Sequence, residues 1–191
     1  GSSAAPTLES CLLYENSCTD DGGGIALKLS ATATLTNCTF GTNVAEIAGG
    51  AYFSDVEATV VNCMFLGNVA HAEDGGAIYN EGANRLTITN CTFVGNEADD
   101  FGASLYSAND SPVLTNCILW NDTYDEIHVD RGDSIVTYCN VQGGWPGDVE
   151  GRDDDFWVDG DYHLKSQGGR YDANEGRWVI DDVTSPCIDA G

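Results

Sequence analysis

The chain has 191 residues, 42% of them hydrophobic, with eight Cys and 23 Gly. Seven Lys and Arg stand against 31 Asp and Glu, a formal net charge of −24, which excludes nucleic acid as a partner because phosphate binding needs clustered basic side chains. No apolar run approaches the ~18 residues of a membrane-crossing helix, so no transmembrane segment is expected, and the acidity points to cations, basic surfaces or a salty medium.

Gly1-Ser2-Ser3 reads as an expression scar, and residues 1–7 as a lead-in. From Leu8 to residue 144 the chain repeats itself, with Cys11, Cys38, Cys63, Cys91, Cys117 and Cys139 marking six turns. The first turn carries Asn16 five residues after its Cys, then Cys18 in a small slot and the run Gly22-Gly23-Gly24-Ile25. The second repeats this with Asn43, Ala45 and Gly49-Gly50-Ala51-Tyr52, the third with Asn68, Ala70 and Gly75-Gly76-Ala77-Ile78. The fourth has Asn96, Ala98 and Gly102-Ala103-Ser104-Leu105, and the fifth Asn121.

Between these markers run short stretches of Thr, Val, Ile, Leu and Phe, bounded by Gly, Asn and Asp corners. That is a strand signal, and nothing sustains a helical period. Three short strands per turn predict a coil that returns above its own start, a parallel β-helix about 30 Å tall at ~4.8 Å per coil. Leu35, Phe40, Val60, Phe65, Leu86, Ile88, Phe93, Leu114 and Ile118 are expected inside, with Thr36, Thr39, Thr87, Thr89, Thr92 and Thr115 outside.

Equivalent residues on successive coils lie about 4.8 Å apart with parallel Cβ vectors, too far for disulfides, which need Cβ atoms ~3.5–4.5 Å apart. Cys38, Cys63, Cys91 and Cys117 are therefore expected as an interior thiol stack. Asn tolerates the left-handed backbone of a sharp corner and can bond the same amide one coil away, so Asn37, Asn62, Asn90 and Asn116 are expected to form a ladder. The Gly pairs are read as positive-φ positions.

The tail, residues 145–191, breaks the repeat. Its Trp145, Trp157 and Trp178 suit a cap over the end of the solenoid, which would otherwise expose strand edges and a wet core. Leu8 has no comparable cap, so further coils of a parent protein are expected before it, with end-to-end self-association of the open end.

Acids recur eight to eleven residues after the marker Cys: Asp20, Asp21, Glu46, Glu73, Asp74, Asp99, Asp100, Asp125 and Glu126. Stacked at one corner they would repel by about 1 kcal/mol per pair in water and more at the surface, so the stripe is a candidate Ca²⁺ site, the alternative being a solvated corner. Asp153, Asp155, Asp159 and Asp161 in "DDDFWVDGD" form a second candidate, although not an EF-hand. His71, His128 and His163 lack metal-ligand spacing, and no catalytic residue is assigned.

Phe65-Leu66-Gly67-Asn68 with Gly75-Gly76-Ala77-Ile78, and Phe93-Val94-Gly95-Asn96, resemble polymorphic outer-membrane protein repeats. The closing "DYHL" (Asp161 to Leu164) and "SPCIDAG" (Ser185 to Gly191) resemble the ends of large bacterial β-helix surface proteins, including those with a C-terminal anchoring region. The resemblance implies an all-β, right-handed, pectin-lyase-like parallel β-helix solenoid of about six coils, exported and displayed extracellularly or at the cell surface. Its implied partners are a surface glycan or protein ligand, or further coils of the parent protein. Enzymes of that fold resemble one another in a Ca²⁺-bound acidic cluster facing a basic residue, or in Gly-His-Gly and Arg-Ile-Lys motifs. Neither motif occurs here, and Lys28, Arg85 and Arg131 fall in different turns. The leading expectation is a noncatalytic adhesion or structural segment; the rivals are a carbohydrate-active domain and an architectural spacer.

Overall fold

A computed structural model describes residues 5–29, 32–82, 85–121, 125–132 and 134–142, and the backbone of 170–172 and 177–179. The described residues contain strands and no helix. Numbered along the chain, β1 (Thr7–Glu9), β4 (Thr32–Thr36), β8 (Glu57–Val61), β12 (Leu86–Thr89), β16 (Val113–Thr115) and β19 (Ile135–Thr137) stack as one six-stranded sheet. A second six-stranded sheet contains β2 (Leu12–Tyr14), β5 (Thr39–Gly41), β9 (Met64–Leu66), β13 (Thr92–Val94), β17 (Ile118–Trp120) and β20 (Asn140–Val141). A third has five strands: β3 (Ile25–Lys28), β7 (Ala51–Ser54), β11 (Ile78–Glu81), β15 (Leu105–Ala108) and β18 (Ile127–Val129). A short ribbon of β6 (Val44–Ala45), β10 (Val69–Ala70) and β14 (Glu97–Ala98) lies between the second and third along each coil. Every pairing in these four sheets is parallel and in register, so each coil returns above the one before it. Six stacked strands in two sheets enclose five full turns. The separate antiparallel pair β21 (Arg170–Asp172) and β22 (Arg177–Val179) is all that is described of the tail, so the expected cap and the acids Asp153, Asp155, Asp159 and Asp161 lie outside the described residues.

Alternation puts one side of each sheet inside. Leu35, Val60, Ile88 and Leu114 line up under the first sheet, and Phe40, Phe65 and Phe93 under the second, all with no exposed surface. The three Phe rings are parallel to within 4°, at centroid distances of 4.7 and 4.9 Å. Burying each contributes about 1.5–3 kcal/mol. Ile118 departs from expectation: it pairs in register with Thr92, faces outward and is 45% exposed, while Leu119 takes the inward slot beside Phe93. The position two residues after the marker Cys decides the direction, whatever the hydropathy of its neighbour.

Cys38, Cys63, Cys91 and Cys117 are buried, and all seven described Cys are free thiols. Each of these four donates its S–H to the carbonyl two residues back, at 3.2–3.3 Å. The Sγ atoms of Cys63, Cys91 and Cys139 also accept the N–H of the marker Cys one coil earlier, at 3.3–3.4 Å. The thiols thus satisfy backbone groups that turn away from the sheets at this corner. Contact with Cys117 acts downward on the Cys91 thiol, but contact with Cys63 and burial outweigh it and raise the group to about 12. Cys117 is likewise lowered by Cys139 but raised more by Cys91 and burial, to about 12.

Asn37, Asn62, Asn90 and Asn116 all hold φ between 52° and 56° at the same corner. Their amides form two exposed pairs, Asn62 donating to Asn37 and Asn116 to Asn90, and not one continuous ladder. The continuous ladder is inside from Asn43 to Asn121, with Asn16 exposed at its start. Asn16, Asn43, Asn68 and Asn96 each donate both backbone N–H and Nδ2 to the Oδ1 of the next Asn in the series, ending at Asn121, over 2.7–3.1 Å. The second Nδ2 hydrogen of Asn43, Asn68 and Asn96 reaches the backbone carbonyls of Leu13, Phe40 and Phe65. A ladder built this way leaves the buried amides paired, which removes the penalty of about 1–3 kcal/mol for each orphaned group.

The Gly runs serve two purposes. Gly22, Ala48, Gly75 and Gly102 occupy the positive-φ position, so one coil places an Ala there at φ 56°. The next slot holds Gly in the first three coils and Ala103 in the fourth; a Cβ on Gly49 would stand 2.4 Å from the Val69 nitrogen.

Candidate functional site

The acidic residues do not act as one group. Backbone hydrogen bonds carry Glu46, Glu73 and Asp100 onto successive coils, through Glu73 N–H to the Glu46 carbonyl and Asp100 N–H to the Glu73 carbonyl. All three side chains are exposed, as are those of Asp20 and Asp99. Asp21 is bonded to the Lys28 ammonium. The Asp74 carboxylate accepts the Phe101 N–H at 2.9 Å; burial raises its pKa against the lowering effect of that bond. Asp125 accepts from Gly102 N–H and contacts His128 Nδ1 at 3.2 Å.

Glu126 has left the corner altogether. It falls in register with Ser104, beside the Gly-pair slot, because β18 pairs Ile127 with Leu105. There it is 4% exposed and closes the inner Asn ladder: Oε1 accepts the Asn121 N–H at 2.7 Å, and Oε2 accepts Asn121 Nδ2 at 2.5 Å and Ser104 Oγ at 2.7 Å. A carboxylate suits this place because the last Asn presents donors and no further Asn supplies the acceptor. No group of three or more His, Cys, Asp or Glu among the described residues is arranged to hold a metal ion.

From the sequence the outer surface is expected to carry ladders of Thr, Asn and acidic residues, with no aromatic or apolar face singled out, and here the register is informative. On the third sheet, Tyr52, Tyr79, Tyr106 and His128 form an outward column with centroids 4.8–5.4 Å apart, and Phe101 stacks on His128 at 4.5 Å. Lys28 covers the free end of the column, with Nζ 5.0 Å from the Tyr52 centroid. Burial, then the Glu81 charge, raises the Tyr52 phenol; burial, then Tyr106, raises that of Tyr79. The ring faces here are occupied by one another.

The first sheet presents Thr7, Thr34, Thr59 and Thr87 in one outward column, and Glu9, Thr36, Val61, Thr89, Thr115 and Thr137 in the next. Glu9 and Glu57 are the charged residues within its strands. The second sheet contains no charged residue in any of its six strands. Its outward side carries Leu12, Tyr14, Met64, Val94 and Ile118, each at least 40% exposed. On a chain of net charge −24, an extended face that is both flat and uncharged is the strongest candidate for contact with another surface. The signal in the sequence was the composition of the residues on either side of the inward Phe.

No curated protein and no solved structure matches the chain. A family model described as "Right handed beta helix region" matches residues 1–161, which fixes the hand that strand spacing leaves open. The chain belongs to the right-handed β-helix family.

Proposed function

We propose that this β-helix is a noncatalytic recognition segment of an exported bacterial protein, displayed at the cell surface, where its coils hold a flat face toward a glycan or protein ligand. The observation that supports the reading is charge segregation: 31 acidic residues in the chain, none within the strands of the second sheet. Solubility asks for charge on every face, so leaving one without it has a cost that contact with a partner offsets.

Among the described residues, Lys28 with Asp21, Asp125 with His128, and Asp130 with Arg131 form ion pairs on different coils or corners of the solenoid. Acid–base catalysis needs groups converging on one reacting atom. Labelled 191-residue chain should bind intact bacterial cells or glycans extracted from them, and should leave neutral and acidic polysaccharides uncut with and without Ca²⁺. New reducing ends or unsaturated uronates would instead support the carbohydrate-active reading.

A further inference from the structure

The geometry points to the outer face of the second sheet as a platform for a neutral, flat polysaccharide chain, with the Tyr14 ring as its aromatic contact. This rests on the recognition reading above and names the ligand class for it.

Three observations carry the inference. Tyr14 is in register with Gly41, and a Cβ on Gly41 would lie 2.4 Å from Tyr14 Cδ2 and 2.6 Å from Cε2. The ring is therefore laid down across the sheet with one edge filling the place of the missing side chain, while Tyr14 remains 50% exposed. This differs from the Tyr52 column, where the ring faces cover each other. An aromatic ring held along a surface offers its π-face to the C–H groups of a pyranose. From Tyr14 the same outward column continues through Leu66 and Val94 to Trp120, about 19 Å over four coil steps, giving a straight apolar track long enough for several sugar units.

Charge selects among occupants. A second copy meeting this one face to face would bring two bodies of −24 together, and a polyuronate or an anionic lipid surface would be repelled in the same way. A neutral hydroxyl-rich polymer meets no such opposition, and the Thr columns of the first sheet provide hydroxyls on the neighbouring face.

The test is depletion of the full 191-residue chain from solution by microcrystalline cellulose and by chitin, two neutral flat polysaccharides, with polygalacturonate as the anionic comparison. Depletion by cellulose or chitin is expected, and none by polygalacturonate. Tyr14→Ala should weaken it by about tenfold, as should Gly41→Ala, which displaces the ring without removing it. The triple change Met64→Asp, Val94→Asp, Ile118→Asp, all at outward positions, should abolish it while melting temperature stays close to that of the parent. No depletion by either neutral polymer, or depletion indifferent to these variants, overturns the inference. A dimer in sedimentation that the triple variant disperses would overturn it too, making the face a contact between copies. Binding to bacterial cells that survives the Tyr14 and triple changes would sink the platform and leave the recognition reading intact; cleavage of a bound polymer would do the reverse.

Discussion

At the scale of single residues, the two sets of Asn carry very different burdens. Asn68 is fully buried and its Oδ1 receives two donors from Asn43. Asn68→Ala should lower unfolding free energy in urea by about 1–3 kcal/mol for each orphaned group, whereas Asn62→Gly, at φ 52° and an exposed amide, should stay within about 0.5 kcal/mol. The sequence showed both sets at constant spacing, but it did not show which side of the backbone each faced, because left-handed corners and inward amides both favour Asn. The same ambiguity misplaced Ile118, whose hydropathy suggested the core although its register is that of Thr39, Met64 and Thr92. The thiols give a pH dependence. With native pKa values of about 12 against 9.0 for an ordinary thiol, Cys91 and Cys117 hold their protons when the unfolded chain has lost them. The resulting stabilisation is complete below about pH 9 and declines as pH rises toward 12. Tyr52 and Tyr79, raised from 10.0, act in the same direction at the upper end. Urea midpoints measured upward from pH 9 should therefore fall, and less steeply in a Cys91→Ala, Cys117→Ala variant.

Among the elements, the coils are not equally secured. In the first coil Leu8, Leu13, Ile25 and Leu27 are only partly buried, while their register partners Leu35, Phe40, Ala51 and Phe53 have no exposed surface. Amide hydrogen exchange should be faster in β1, β2 and β3 than in β11, β12 and β13, since a strand with one neighbour has half the packing and half the ladder bonds; equal protection in a monomeric sample would contradict this. At the other end Glu126 terminates the inner ladder. Glu126→Gln would turn a donor toward Asn121 Nδ2 or its N–H and should cost about 1–3 kcal/mol. The repeat, the three strands per coil and the thiol stack were readable because each follows from a fixed offset after a Cys. The role of Glu126 was not, since by offset alone it counts with Asp125 as one more acid of the corner. Only the pairing of Ile127 with Leu105 reveals that it has moved inward.

For the whole molecule, the organising feature is that the exposed acids and the uncharged second sheet, the proposed contact surface, occupy different sides of one solenoid. Acids gather at the corner after β6, β10 and β14 and beside the Tyr column, while the second sheet carries none within its strands. The net charge of −24 was visible from composition, but its uneven placement required the register of every coil. Charge borne by the acidic side would make binding depend on ionic strength, because exposed charges are screened beyond about 8–10 Å at physiological salt. Contact through the uncharged sheet would not, and apolar burial is if anything favoured by added salt. The most direct measurement is therefore the retention of labelled chain on intact bacterial cells as NaCl is raised from about 0.05 to 0.5 M: recognition through the second sheet predicts retention that holds or increases, and a steep loss of retention with salt would contradict it.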